Sequence, residues 1–378
     1  MMGHVLSIER NANIKSFIIA MFIIFAGFVP GIYVLNMGLN LSQPYEKRVC
    51  AFYYTWYANT TVFPNEHPKN NDIYEHWNKS AAPFDPYEDL MITHHPNMGF
   101  LTTDPILYDS ADENLIEYHL ALAQEMQIDT FITTWWGENN SIDTNFDLLL
   151  NVTSQEGYAM EHTIYFESAQ GKYDLTNPAC VENICYDIKY VLDSYGQHEN
   201  YLKIGGRPVI FAFNVYSAAS AKNWTSAIDK LNREGYYPYL IADIGYQAPI
   251  GQQELDMFDG IHLYNPSQPY LEDFNEAVND IVDLQFYACL NNMLFCATVL
   301  PGYNDTALNK PDPVPVYPRS GGETYNRTWD AALELEPDWI LITSFNEWHE
   351  GTEIEPSIQH SNQYIEITKN YVEIFKSK

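Results

Sequence analysis

Glu347 and Glu350 stand three positions apart in the stretch Phe345-Asn346-Glu347-Trp348-His349-Glu350-Gly351-Thr352. The apolar run Trp339-Ile340-Leu341-Ile342-Thr343 comes just before them and predicts a buried strand. Two acids are therefore expected just past a strand end, among tryptophan, histidine and asparagine. Desolvating two carboxyl groups beside aromatic rings costs free energy, so a purely structural purpose explains them poorly. Such surroundings separate carboxyl pKa values, so that one acid keeps a proton while its neighbour stays ionised. A proton donor beside a proton acceptor is the equipment for cleaving a glycosidic bond. The competing reading is a helix start with solvated acids, because acids favour helix N-termini. His349 reads as a packed, hydrogen-bonded histidine.

The elements that must position this pair recur along the chain. Strands are predicted at 48–57, 128–136, 162–168, 207–214, 237–244, 257–264, 295–302 and 338–346. Helix-like stretches fall at 112–127, 143–157, 182–195, 219–234, 271–291, 323–336 and 361–376. The continuous hydrophobicity of the strands suits a parallel sheet covered on both faces. Eight strands, seven of them followed by a helix-like stretch, predict one α/β domain, a (β/α)8 TIM barrel. An open doubly wound sheet is the alternative, but no Gly-x-Gly-x-x-Gly follows the first strand.

In such barrels chemistry stands at the C-terminal ends of the strands. The predicted ends carry Tyr53-Tyr54-Thr55-Trp56-Tyr57, Trp135 and Trp136, Glu167, Asn214, Asp243, His262 and Tyr264, Tyr303 and Asp305, then Asn346, Glu347 and Glu350. Ends of this composition describe a binding mouth. The segment 58–111 is long for a βα loop and holds His76-Trp77-Asn78; loops of that length usually cover or shape a site. His94-His95 reads as a surface loop rather than a metal site. Asp104 and Asp109 line the long loop or cap turns.

The 378 residues carry a net charge of −31, which argues against nucleic acid and against adhesion to anionic lipid. The 29 Tyr, 19 Phe and 8 Trp suit sugar faces but also fill ordinary cores. Residues 16–35 run without a charge for long enough to span a bilayer. The sequons at Asn40, Asn59, Asn78, Asn139, Asn151, Asn223, Asn304 and Asn326 place the chain beyond residue 35 outside the cytosol. The expected organisation is a cytosolic tail 1–15, a signal anchor 16–35, a linker 36–47 and a catalytic domain 48–378, facing the lumen or exterior as a monomer. A cleaved, secreted form competes, although no small-x-small site follows the apolar run. Among five cysteines, pairs 180–185 and 289–296 are open possibilities that leave Cys50 over as a buried thiol.

These motifs resemble glycoside hydrolase family 99, the endo-α-1,2-mannosidase and endo-α-mannanase family. Phe52-Tyr53-Tyr54-Thr55-Trp56-Tyr57-Ala58-Asn59 is similar to its first barrel strand, and His76-Trp77-Asn78 to the loop after that strand. Phe258-Asp259-Gly260-Ile261, Pro301-Gly302-Tyr303 and Ser344 to Thr352 match further motifs in the same order, so that the likeness covers about 48–375. The resemblance implies a retaining endo-acting α-mannosidase with no metal or other cofactor, acting on an α-mannose-containing glycan. It implies that the substrate's own 2-hydroxyl attacks the anomeric carbon to give a 1,2-anhydro sugar. Glu347 would deprotonate that hydroxyl; Glu350 would protonate the leaving oxygen and then activate water. It further implies Tyr264 beside Glu347, Trp135 against the sugar, and Tyr53, Tyr54 and His198 as lesser contacts; Glu167 and Asn346, at predicted strand ends, complete the expected substrate-binding set. The neighbours of Glu167, in Tyr165-Phe166-Glu167-Ser168-Ala169, depart from the family's His-Ile-Glu-Pro-Tyr pattern. Residues 266–275 and 305–322 match none of the family's motifs. A glycan on Asn304 would obstruct the mouth, so that sequon is expected to be unused. Two other readings stand beside this one: a WbsX-type glycosyltransferase, which shares a loosely similar Asn-Glu-Trp motif, and a non-catalytic mannoside-binding protein.

Overall fold

Eight parallel strands close on themselves into a barrel. The structure is a computed structural model that describes residues 45–58, 108–167, 174–245, 255–308 and 314–378. The expected anchor at 16–35, the His76-Trp77-Asn78 motif, His94, His95 and Asp104 lie outside the described residues. Among the described residues no helix is long and apolar enough to cross a membrane.

The strands are β1 (Arg48–Tyr53), β2 (Thr130–Trp135), β3 (Glu161–Phe166), β4 (Lys203–Ile204), β5 (Arg207–Ala212), β6 (Tyr239–Asp243), β7 (Gly260–His262), β8 (Leu294–Val299) and β9 (Trp339–Ile342). β4 only folds back on β5, antiparallel, through Gly205 and Gly206, both at positive φ. The other eight pair in parallel around the ring, where β3 meets β5 (Ile164 beside Ile210) and β9 meets β1 (Ile342 beside Ala51). The helices are α1 (Glu113–Glu125), α2 (Ser141–Gln155), α3 (Cys180–Ser194), α4 (Ala218–Arg233), α5 (Ser267–Asn291), α6 (Glu323–Leu335) and α7 (Gln363–Ser377). Side chains start several of them: Asp112 caps α1, Asn140 caps α2, and Ser217 with Ser220 forms a capping box on α4.

Each strand sends alternate residues to opposite faces. Val49, Ala51 and Tyr53 of β1 join the layer between barrel and helices, whereas Cys50, Phe52 and Tyr54 join the barrel interior. The interior is filled, as small barrels require. Phe52 meets Tyr165 at 4.9 Å and Tyr264 at 4.9 Å between ring centroids. His262 is buried among Phe52, Tyr165 and Phe211, and that burial lowers its pKa to about 4, so the ring is neutral. All five cysteines are free thiols, so neither candidate disulfide forms. Burial pushes the Cys50 thiol well above its usual range, which makes it inert packing.

The two ends of the barrel differ chemically. Where strands begin, ion pairs tie neighbours together: Arg48 to Glu161, Arg207 to Asp259 at 2.6 Å, and Lys376 to Asp129 at 2.6 Å. Where strands end, acids and phenols gather instead. This is the division between a stabilising face and a working face that the architecture leads one to expect.

Candidate active site

The loop after β9 is folded by its own short side chains. The Glu347 N–H donates to Ser344 Oγ at 2.8 Å, and the Ser344 and Thr352 hydroxyls lie 2.8 Å apart. Gly351, at φ +57°, supplies the left-handed turn that brings the chain back. Arg319 holds the return limb, donating to the carbonyls of Gly351 and Glu353 at 3.1 and 2.8 Å.

Tyr57 then locks the backbone around Glu347. Its hydroxyl donates to the Asn346 carbonyl at 2.8 Å and accepts from the Trp348 N–H at 3.2 Å. One phenol thus fixes the residues on both sides of the acid. The Asn346 side chain acts likewise: its Oδ1 accepts from the Tyr54 N–H at 2.8 Å, and its Nδ2 donates to the Tyr54 carbonyl at 2.9 Å. Asn346 therefore joins the ends of β1 and β9, and its amide is spent on protein rather than offered to a ligand.

Glu347 is only 2% exposed. Its Oε1 accepts from the His349 N–H at 3.1 Å, with His349 Nδ1 3.6 Å away. Its Oε2 is buried and has no hydrogen-bond partner among the described residues. Glu350 differs: Tyr264 donates to Oε2 at 3.0 Å and Tyr303 to Oε1 at 3.2 Å. The Tyr54 and Tyr264 hydroxyls are 2.6 Å apart. Since Tyr264 gives its proton to Glu350, Tyr54 is the donor in that pair. Desolvation, then the nearby acids, raises both phenols well above their ordinary range, so they remain donors. Tyr303 also lies 3.1 Å from Asp305 Oδ2. With one proton it serves only one of these two carboxyl groups at a time.

A third acid joins the pair. Glu167, at the end of β3, accepts from Trp136 Nε1 at 2.9 Å. Burial pushes its pKa up to about 8; the hydrogen bond from Trp136 opposes this, and the charges of Glu347 and Glu350 add to it. At neutral pH it keeps its proton. Glu167, Glu347 and Glu350 all act electrostatically on Tyr54, which puts the three acids around one phenol at the barrel mouth. A groove of about 360 Å³, lined by Tyr303, Tyr317, Trp348 and His360 among others, opens beside the Glu350 loop.

Of the residues that sequence assigned to this site, Glu347, Glu350, Tyr54, Glu167 and Tyr264 come together, with Asn346 behind them. Three do not. Tyr53 faces α1, its hydroxyl 2.9 Å from His119 Nδ1 and its ring stacked on Phe131. Trp135 also faces outward: it is fully buried against Phe166 and Tyr190, and its Nε1 donates to Asp143 of α2 at 2.9 Å. Its neighbour Trp136 takes the inward place, 5.5 Å from Trp56. His198 lies at the opposite end of the barrel. It sits in the turn after α3, two residues before Asn200, whose carbonyl accepts the N–H of His162 near the start of β3. Asp109 caps a turn, accepting from the Ala111 N–H at 2.9 Å. The sequence reading set Tyr57 at the mouth and Ser344 in the loop motif without giving either a role, and it missed Arg319. The run Tyr53-Tyr54-Thr55-Trp56-Tyr57 carried a signal for Tyr57, since a strand that stops leaves its last phenols free to turn back over the mouth.

Carboxyl groups clustered over phenols at the C-terminal mouth of a parallel barrel are the equipment a glycoside hydrolase needs. A family model for Glycosyl hydrolase family 99 matches residues 44–373, and the chain belongs to that family. Among proteins it resembles is the glycoprotein endo-alpha-1,2-mannosidase of Rattus norvegicus, 24% identical over 90% of this chain and 78% of that protein. The Homo sapiens glycoprotein endo-alpha-1,2-mannosidase-like protein is 24% identical over 86% of this chain and 75% of its own length. A solved GH99 endo-alpha-mannosidase from Bacteroides thetaiotaomicron, bound to bis-tris-propane, superposes with a TM-score of 0.65 at 23% identity, covering 87% of this chain and 97% of that one. The likeness in structure confirms the barrel, and the family match removes the glycosyltransferase reading.

Proposed function

We propose that this chain is a retaining, endo-acting α-mannosidase that cleaves internal α-mannosidic bonds of a glycan with help from the substrate's 2-hydroxyl. The observation that carries the reading is the contrast between the two acids. Glu347 holds a buried carboxylate oxygen without a partner among the described residues, a costly arrangement unless a ligand hydroxyl completes it. Glu350 is held by two phenols at the same mouth. In the first step Glu347 takes the proton of the 2-hydroxyl, and O2 attacks C1 as the C1–O bond to the leaving sugar breaks. Glu350 delivers its proton to the departing oxygen. In the second step Glu350 takes a proton from water, whose oxygen attacks C1. The C1–O2 bond opens, and O2 recovers a proton from Glu347. Two inversions at C1 give net retention. An α-mannoside suits this route because its axial 2-hydroxyl lies trans to the leaving group.

The names of the relatives support an α-1,2 linkage in a glycoprotein glycan. We further propose that residues 16–35 anchor the enzyme with its barrel in the lumen or exterior. The test of activity is incubation of the full chain with a panel of α-mannosyl oligosaccharides and mass analysis of the products. Release of an oligosaccharide with α configuration is expected; binding of mannosides without turnover would overturn the reading. N-terminal sequencing tests the anchor, and a mature start near residue 40 would refute it.

A further inference from the structure

We infer that Glu355 is a positioning residue for the acid pair, acting through Trp348 and Asn346 on the backbone that carries Glu347 and Glu350. This role presupposes the proposed chemistry of those two acids. Glu355 lies a few residues beyond the loop and is 2% exposed. Three donors converge on it from three elements. His119 Nε2 of α1 lies 2.9 Å from Oε1, while Trp348 Nε1 and the Tyr108 hydroxyl reach Oε2 at 3.0 and 3.1 Å. The Tyr108 hydroxyl in turn accepts from Asn346 Nδ2 at 3.3 Å. One proton assignment satisfies the whole set: His119 carries its proton on Nε2, and the Tyr53 hydroxyl, 2.9 Å away, donates to Nδ1.

The network grips the catalytic loop at both flanks of Glu347. Asn346 is its N-terminal neighbour and Trp348 its C-terminal one, and Trp348 is also the first step toward Glu350. Taking away the acceptor removes the bonds that the buried indole N–H and the Tyr108 hydroxyl make to Oε2 and leaves the indole its longer bond to the Tyr108 hydroxyl at 3.3 Å, and buried donors move to recover what they lose. When Trp348 turns, the main chain between the two acids turns with it. A misplacement of that kind lowers turnover far more than binding, because the sugar is still held by the mouth while proton donor and acceptor miss their atoms. This gives Tyr53 and His119, both on the outer side of β1, a part in the site that neither could play by contact.

The test is kinetics of the full chain on an α-mannosyl oligosaccharide well below the unfolding midpoint, with folded enzyme quantified by circular dichroism. Glu355→Leu keeps the bulk and removes every acceptor; kcat should fall roughly 10- to 100-fold with KM within about twofold. Glu355→Gln should recover kcat to within about fivefold of wild type. Its amide oxygen still accepts from Trp348 and Tyr108, and its NH2 can donate to His119 Nε2 once that ring moves its proton to Nδ1. A merely structural residue would lower the melting temperature of the Leu variant while leaving kcat per folded molecule unchanged, and that result overturns the inference. If Glu355→Leu does not fold, Trp348→Phe removes the single indole donor and should show the same split between kcat and KM; full kcat there overturns the inference equally. Wild-type enzyme without hydrolysis would sink the glycosidase reading itself, whereas an active wild type with fully active variants sinks only the role of Glu355.

Discussion

Glu167→Gln should make the protein more stable at neutral pH, and by an amount that grows with pH. The glutamine keeps the acceptor for Trp136 Nε1 and has the same volume, so packing is unchanged. Ionisation is what differs. In the unfolded chain the carboxyl ionises near its ordinary value of 4.5, whereas in the fold burial holds the proton up to about 8. Between those values the folded state binds more protons than the unfolded one, so stability is complete below the lower value and is lost as pH climbs toward the upper. Each pH unit in the window is worth about 1.4 kcal/mol. At pH 7 the window traversed is about 2.5 units, giving a penalty of about 3 kcal/mol that the glutamine variant escapes; at pH 5 it is under about 1 kcal/mol. Glu353 is likewise pushed up by burial, to about 7, but it titrates in both proteins and cancels in the difference. Urea unfolding of both proteins at pH 5, 6, 7 and 8 measures the quantity directly. A difference that stays flat across that range would refute the claim that Glu167 is a protonated acid at the mouth.

Tyr57→Phe should cost about 1–3 kcal/mol in urea unfolding, because it removes the hydroxyl that bonds both the buried Asn346 carbonyl and the Trp348 N–H, and kcat should drop as Glu347 loosens. His198→Ala should leave kcat/KM within about twofold of wild type under steady-state assay, since the residue lies at the stabilising end of the barrel. Asn223 should carry no glycan in glycopeptide mapping of protein from a secretory host: it is buried, and its Nδ2 donates to the Leu175 carbonyl at 2.8 Å.

Strand positions and the acid pair were legible because they rest on local signals. A buried parallel strand is an apolar run, and a pair of acids in an aromatic setting has few structural uses. The orientation of each strand was not legible, for the same reason that the strands were. When both faces of a strand are buried, the alternation that would mark the inward face is hidden. Hence Tyr53 and Tyr54, or Trp135 and Trp136, look alike as doublets although one of each faces the lumen. Register is decided by neighbours far away in sequence, such as Phe131 and His119 against Tyr53. The predicted strands also ran too long. Polar aromatics at 54–57 continue the pattern of β1, but their backbone leaves the ladder to form the mouth. Glu355 was invisible because its three donors come from residues 108, 119 and 348, which only the closed barrel brings together.

The most direct test of the account compares Glu347→Gln with Glu350→Gln on two substrates, a natural α-mannosyl oligosaccharide and an aryl glycoside whose phenol leaves without protonation. With the oligosaccharide, kcat/KM of both variants should fall on the order of 100- to 10,000-fold. With the aryl glycoside, Glu350→Gln should recover to within about tenfold of wild type, because the departing phenolate needs no acid, while Glu347→Gln should stay crippled. Full activity of Glu350→Gln on the oligosaccharide, or equal rescue of both variants by the aryl substrate, would contradict the assignment of one acid to the leaving oxygen and the other to the 2-hydroxyl.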